Sequence, residues 1–291
     1  MDRAAIKAPE MEGDLSKVSK WQLSTLTDVE EVKMIVRMLP IWATTIEFWT
    51  IHAQMTTFSV SQATTMDRHI GSKFQIPPAS MTAFLIASIL LTVPIYDRFV
   101  APICARLFHN PQGLTPLRRV GVGLFLATVA MLVAALTEIK RLHVAESHGM
   151  VNDPYIVLPI SVFWLIPQFI LTGAGEAMIY AGQLDFFLRE CPKGMKALST
   201  GLFLSTLSLG FFFSTVIVTI VNSVTSHAHP WLADNLNKGR LYNFYWLLGG
   251  ISLVNFILFI ICAKWYVYKD KWLAAEGFEV ELEESTVPVG H

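Results

Sequence analysis

Charged side chains are scarce in this chain, making up 15% of its 291 residues against about a quarter in a soluble globular domain. So few charges cannot cover a surface that faces water on all sides, and lipid is the implied solvent. Neither sign of charge dominates: a net charge of −1 supplies no positive field to gather nucleic acid. Cysteine is rare as well, with Cys104, Cys191 and Cys262 in or near the half expected to face the reducing cytoplasm, so no disulfide is expected. Residues 1–30 lack the basic-then-apolar order of a secretory signal, because Asp2, Glu10, Glu12, Asp14 and Lys20 interrupt them; membrane entry is expected through internal segments. A nucleotide-binding glycine loop, a nucleophile elbow and a zincin pattern are all missing, which argues against an enzyme and implies no cofactor.

What is abundant is apolar sequence. Hydrophobic residues reach 53% and the mean hydropathy is +0.48. Six stretches, roughly 34–61, 77–100, 117–139, 156–188, 197–222 and 241–268, are each long enough for a hydrocarbon core that takes about 20 helical residues. The expected fold is an all-α membrane protein, with residues 1–31 a cytoplasmic linker segment, 32–268 a bundle of six transmembrane helices and 269–291 an acidic, solvated tail. Thr27-Asp28-Val29-Glu30-Glu31 reads as a helix start with acidic residues in its first turn.

Six spans place both ends of the chain on one side. Fifteen Lys and Arg fall in the segments on that side (Arg3, Lys7, Lys17, Lys20 and Lys33; Arg98, Arg106, Arg118 and Arg119; Arg189, Lys193 and Lys196; Lys264, Lys269 and Lys271), against six in the opposite loops, Arg68, Lys73, Lys140, Arg141, Lys238 and Arg240. The positive-inside rule makes both termini cytoplasmic. Trp42, Trp49, Trp231, Tyr242, Tyr245, Trp265, Tyr266 and Tyr268 gather towards span ends, as an interfacial belt does.

Ionisable groups within a bilayer are costly, so each is a candidate site. In the first span Thr45, Trp49, His52, Thr56 and Ser59 are spaced four, three, four and three apart, which puts them on one inward-looking helical face. A protonated His52 can hold a small anion with Thr56 adding a hydroxyl one turn away; the competing reading is a neutral interhelical hydrogen bond. Glu47 lies about 140° around the helix from His52, and its role stays open between a buried protonated carboxyl and a hydrated group near the outer mouth. The fourth span carries Gly173-Ala174-Gly175-Glu176, with Tyr180 and Gln183 continuing one polar line. Glu176 suits proton coupling or a gating ion pair, or else is a satisfied structural carboxyl. Asp185 and Arg189 read as a local ion pair, Gly210-Phe211-Phe212-Phe213 as packing surface or one wall of a pocket, and His227-Ala228-His229 as too few ligands for a metal.

The stretches Pro40-Ile41-Trp42-Ala43, Phe48-Trp49-Thr50-Ile51-His52-Ala53-Gln54 and Ile76-Pro77-Pro78-Ala79-Ser80-Met81 resemble the plant nitrate transporter 1/peptide transporter family (NRT1/PTR), proton-dependent oligopeptide transporters of the major facilitator superfamily. So do Gly175-Glu176-Ala177, Leu184-Asp185-Phe186-Phe187, Glu190-Cys191-Pro192-Lys193-Gly194-Met195-Lys196 and Asn237-Lys238-Gly239-Arg240-Leu241-Tyr242. The resemblance runs from about residue 20 to the end. It implies twelve spans in two six-helix halves, of which this chain matches the C-terminal half preceded by part of the central linker. It further implies proton-coupled nitrate transport at the plasma membrane, with His52, Thr56 and Phe211 contacting substrate and Glu176 pairing with a lysine of the N-terminal half. Trp49, Tyr180 and Gln183 are expected to line the pocket. Nitrate, protons, lipid and either an N-terminal six-helix half or a full-length family member are the implied partners. Peptide, hormone or chloride transport is the alternative within the family, and a truncated, non-transporting membrane partner the alternative outside it.

Overall fold

Backbone polar groups find no water in a bilayer, so a spanning segment must satisfy them internally, and long helices do so. The computed structural model describes residues 5–6, 24–71, 73–108, 113–191, 195–226 and 230–268. Its helices are α1 (Leu26–Thr64), α2 (Thr82–Ile95), α3 (Ala101–Phe108), α4 (Pro116–Ser147), α5 (Ile166–Glu190), α6 (Lys196–Thr225) and α7 (Leu241–Trp265). A π turn at Tyr96–Val100 joins α2 to α3 into one run, following Pro94, whose missing N–H interrupts the helical ladder.

Among the described residues, five helical runs are long and apolar enough to cross a membrane: Pro78–Arg106, Pro116–Ser147, Val162–Glu190, Ala197–Thr225 and Leu241–Trp265. They coincide with the second to sixth apolar stretches. The first stretch lies inside α1, a 39-residue helix that contains Pro40 and is richer in polar side chains. Those polar groups are spent on neighbouring helices. Trp42 Nε1 donates to Leu202 O and Ser205 Oγ, Thr50 Oγ1 donates to Gly210 O, and Gln54 Nε2 donates to Ser214 O, which together form a ladder from α1 to α6. Gln168 Nε2 of α5 donates to Ser59 Oγ at 2.7 Å.

The small residues of α5 let three helices approach closely. A Cβ on Gly173 would sit 2.5 Å from Leu85 O of α2, and one on Gly175 would sit 3.1 Å from Gly123 O of α4. The close packing that Gly173-Ala174-Gly175 permits is therefore used on both sides. On the loop side, Met66–Asp67 pairs in parallel with Leu158–Ser161, and His69–Ile70 pairs with Phe74–Gln75 around Gly71, whose φ is 67°. At the other side, Tyr266 donates to Glu190 Oε2 at 2.8 Å. Burial and the Glu190 carboxylate both push the Tyr266 phenol up, so it remains a proton donor.

The most constrained polar cluster lies in α4. Lys140 and Arg141, read from the sequence as outer-loop charges, are helical residues, because α4 runs on from 139 to Ser147. Arg141 and Glu138 are both wholly buried. The guanidinium meets the carboxylate bidentately, Nε to Oε2 and Nη2 to Oε1, both at 2.7 Å. Its remaining N–H groups reach Thr65 Oγ1 at 3.0 Å, Asn237 Oδ1 at 2.6 Å and Leu236 O at 3.0 Å. Gln62 Nε2 donates to Glu138 Oε2 and receives the Tyr245 hydroxyl on its own Oε1. One ion pair thus ties α1, α4, α7 and the segment before α7 together. Removing one partner of such a pair leaves an uncompensated buried charge, so Arg141→Met should cost about 3–5 kcal/mol, whereas Glu138→Leu with Arg141→Met should recover most of it. Thermal unfolding in detergent measures both, and equal losses in the single and double variants would contradict the assignment.

Candidate functional site

The site forms where α1, α5 and α6 present side chains to one partly open face. His52 Nδ1 lies 3.3 Å from Glu176 Oε2, with the two side chains 14% and 19% exposed. The angles are not those of a hydrogen bond, and both atoms are shielded without any other partner among the described residues. Burial of such groups without full partners is costly, and it is tolerated where a site needs them. Trp49 packs its ring edgewise on His52 at 5.8 Å and keeps a shielded, unpartnered Nε1. Phe211 of α6 covers the imidazole from another side at 6.3 Å, with 49% of its own surface open.

The sequence-derived candidates divide into three groups. His52, Glu176, Trp49 and Phe211 converge. Thr56 is on the same face of α1, but its hydroxyl donates to the main-chain carbonyls of His52 and Ala53, both at 3.1 Å, so its proton is committed in this state. Tyr180 is 45% exposed and stacks edgewise on Phe203 at 4.8 Å. Gln183, expected to continue the polar line of Glu176 and to line the pocket, is held in contacts between helices. It is wholly buried and donates to Thr45 Oγ1 at 2.9 Å and to Thr206 Oγ1 at 3.0 Å, linking α5 to α1 and α6. Thr45 and Ser59, the outer members of the α1 stripe, are buried in helix contacts as well.

Glu47 faces away from this cluster, towards α6 and α7. Its Oε2 is 3.4 Å from Asn255 Nδ2, its Oε1 is shielded and unpartnered, and it borders a cavity of about 340 Å³ with Ile46, Thr50, Phe213, Ile217 and Leu248. Asp185 and Arg189 form the expected local ion pair, at 2.5 Å. His227 and His229 lie outside the described residues, as does the acidic tail. Among the described residues no group of three metal-ligating side chains converges.

Sequence reasoning passed over the Glu138–Arg141 pair and the Gln54–Ser214 contact. The first carried a usable signal, since an acid and a base three apart beside a long apolar run meet on one helical face.

A family profile described as PTR2: POT family matches residues 3–232. The chain belongs to the POT family. It is 58% identical over 291 residues to Protein NRT1/ PTR FAMILY 6.3 of Arabidopsis thaliana, covering all of this chain and 48% of that protein. It is 54% identical over 275 residues to Protein NRT1/ PTR FAMILY 6.2 of the same plant, covering 91% of this chain and 46% of the relative. The family named from the sequence motifs is thus the one the comparisons return. The chain spans about half the length of the curated relatives it matches. A crystal structure of an auto-inhibited POT family peptide transporter superposes with a TM-score of 0.66 over 83% of this chain and 43% of the other, at 21% identity, which establishes a shared fold.

The seam behind the site is testable through Gly210. A Cβ there would collide with Trp49 Cβ and approach Ile46 O to 2.9 Å. Gly210→Ala should therefore lower stability by about 1–3 kcal/mol and shift tryptophan emission as Trp49 is displaced. An unchanged unfolding midpoint would mean that α1 and α6 pack less closely than described.

Proposed function

We propose that this chain acts as the C-terminal six-helix half of a proton-coupled nitrate transporter, with α1 crossing the membrane ahead of the other five spans and both termini cytoplasmic in the plasma membrane. The observation that carries the reading is the pairing of the His52 imidazole with the Glu176 carboxyl on a face left open between α1, α5 and α6. Family membership supports transport over catalysis, and substrate sites of such transporters lie near the midplane, between two repeats. A second six-helix unit would close this face, which would account for the open ring of Phe211.

An imidazolium is one of few protein groups able to hold a small anion in a low-dielectric site, because it offers charge and N–H donors together. Here a carboxylate already faces Nδ1, so the anion and ionised Glu176 compete for one cation. Protonating Glu176 removes the competitor, and protonating His52 supplies the charge. Both steps tighten anion binding, and by linkage the bound anion favours both protons. Acidic medium therefore loads the site, and proton loss towards the cytoplasm releases the anion. Rocking of two bundles about the site would alternate access.

A second reading, peptide transport, draws on the POT family peptide transporter that shares this fold. In that case the Glu176 carboxylate would hold a peptide amino group and His52 would matter less.

Nitrate uptake in oocytes discriminates between these readings. The chain is expressed alone and with an N-terminal half from a relative, at about pH 5.5 and about pH 7.4, on either side of an ordinary histidine pKa. Uptake should need the added half, rise in the acidic medium and fall to background with His52→Ala. Nitrate uptake indifferent to His52, or dipeptide uptake in its place, would favour the second reading. No uptake in any combination, with the protein at the cell surface, would make the chain a non-transporting membrane partner.

A further inference from the structure

A groove of about 700 Å³ runs between α4 and α7, with no residue of α1, α5 or α6 in its lining. Its two walls have the same polarity profile. On α4, Arg118 stands at one end, with Val122 and Phe125 deeper; on α7, Lys264 stands at that same end, with Ile260 and Phe256 deeper. Arg118 and Phe125 are two turns apart, and Lys264 and Phe256 slightly more, so the cations sit about 10–12 Å above the aromatic floor. That floor is closed by Phe125 against Phe256, with ring centroids 5.9 Å apart. The adjacent Arg119 is engaged elsewhere, donating from Nε to the Tyr96 hydroxyl at 3.1 Å with its guanidinium over the same ring. Tyr268 borders the head of the groove and lies within hydrogen-bonding reach of Thr115 and the Leu117 main chain, anchoring the segment after α7 beside the first turn of α4.

Two exposed cations over an apolar slot, at the end of a membrane-spanning pair, match one class of ligand. We propose that the groove is a binding site for an anionic glycerophospholipid of the cytoplasmic leaflet, its phosphate between Arg118 and Lys264 and one acyl chain along Val122 and Ile260 towards Phe125. A cation near the membrane surface adds about 1 kcal/mol towards anionic lipid, so two of them give roughly thirty-fold preference over a zwitterionic lipid of equal chain length. The apolar slot supplies affinity without discrimination, since it takes any acyl chain. This assignment is independent of the transported substrate: it needs only the membrane-embedded bundle and its orientation.

The test is lipid retention by the full chain, purified in detergent and titrated with dioleoylphosphatidylserine or dioleoylphosphatidylcholine, read by native mass spectrometry. The serine lipid should bind about thirty-fold more tightly. Arg118→Gln with Lys264→Gln should bring the two lipids level by weakening the serine lipid while leaving retention of the choline lipid unchanged. Val122→Trp, a change on an exposed helical face, should fill the slot and weaken retention of both lipids. Phosphatidylserine preference persisting in the Gln pair, or retention unaffected by Val122→Trp, would overturn the assignment. So would a preference that emerges only after deletion of residues 276–291, since the acidic tail would then be the groove's occupant.

Discussion

A single buried ion pair sets the geometry of one end of this bundle. Arg141 cannot lose its charge, and in a lipid-solvated protein it has no water to turn to. Every N–H of its guanidinium must therefore meet an oxygen, and the oxygens come from Glu138, Thr65, Asn237 and Leu236. Satisfying one side chain in this way fixes the end of α1, the outer turns of α4 and the approach to α7 relative to one another. Apolar packing alone discriminates weakly between helix arrangements in lipid, because lipid tails are as apolar as the side chains. A network with fixed angles supplies the missing discrimination.

The site inherits its shape from that frame and from the glycines of α5. Gly173 and Gly175 draw α2 and α4 against α5 on two sides, leaving Glu176 on the remaining face towards α1. The ladder of Trp42, Thr50 and Gln54 fastens α1 to α6 on a second face, so His52 has the third. Neither side chain of the pair reaches a hydrogen bond with good angles, although they are 3.3 Å apart. Such a contact is held by the helices and not by its own strength, which is what a site that must exchange partners requires.

Most of the helical layout was legible in the sequence, because runs of apolar residues report span length directly. The long extension of α4 was not, since its last turns combine Glu138, Lys140 and Arg141, whose charges look like a loop until Glu138 and Arg141 are seen to pair inside the bundle. For the candidate site, spacing put His52 and Trp49 on one face of α1 and Glu176 on a face of α5, two faces that meet in the structure, and the resemblance added Phe211. The same spacing argument could not say what Gln183 meets. Periodicity states which face of a helix a residue occupies but not what covers that face, and here Thr206 of α6 covers it. Thr56 shows a related limit: a threonine in a helix can spend its hydroxyl on the turn behind it, and this one does.

Pro40 gives α1 a mechanical property separate from its chemistry. It lies in the helix that carries His52 and leaves the backbone ladder open at one point below the site. The twelve residues from Pro40 to His52 make a lever arm of about 18 Å. A change of about 10° in the bend at Pro40 would swing the imidazole by about 3 Å, comparable with its whole separation from Glu176. Tilting of the part of α1 before Pro40 and a change in the separation of His52 from Glu176 are in this sense the same movement, measured at the two ends of one rod.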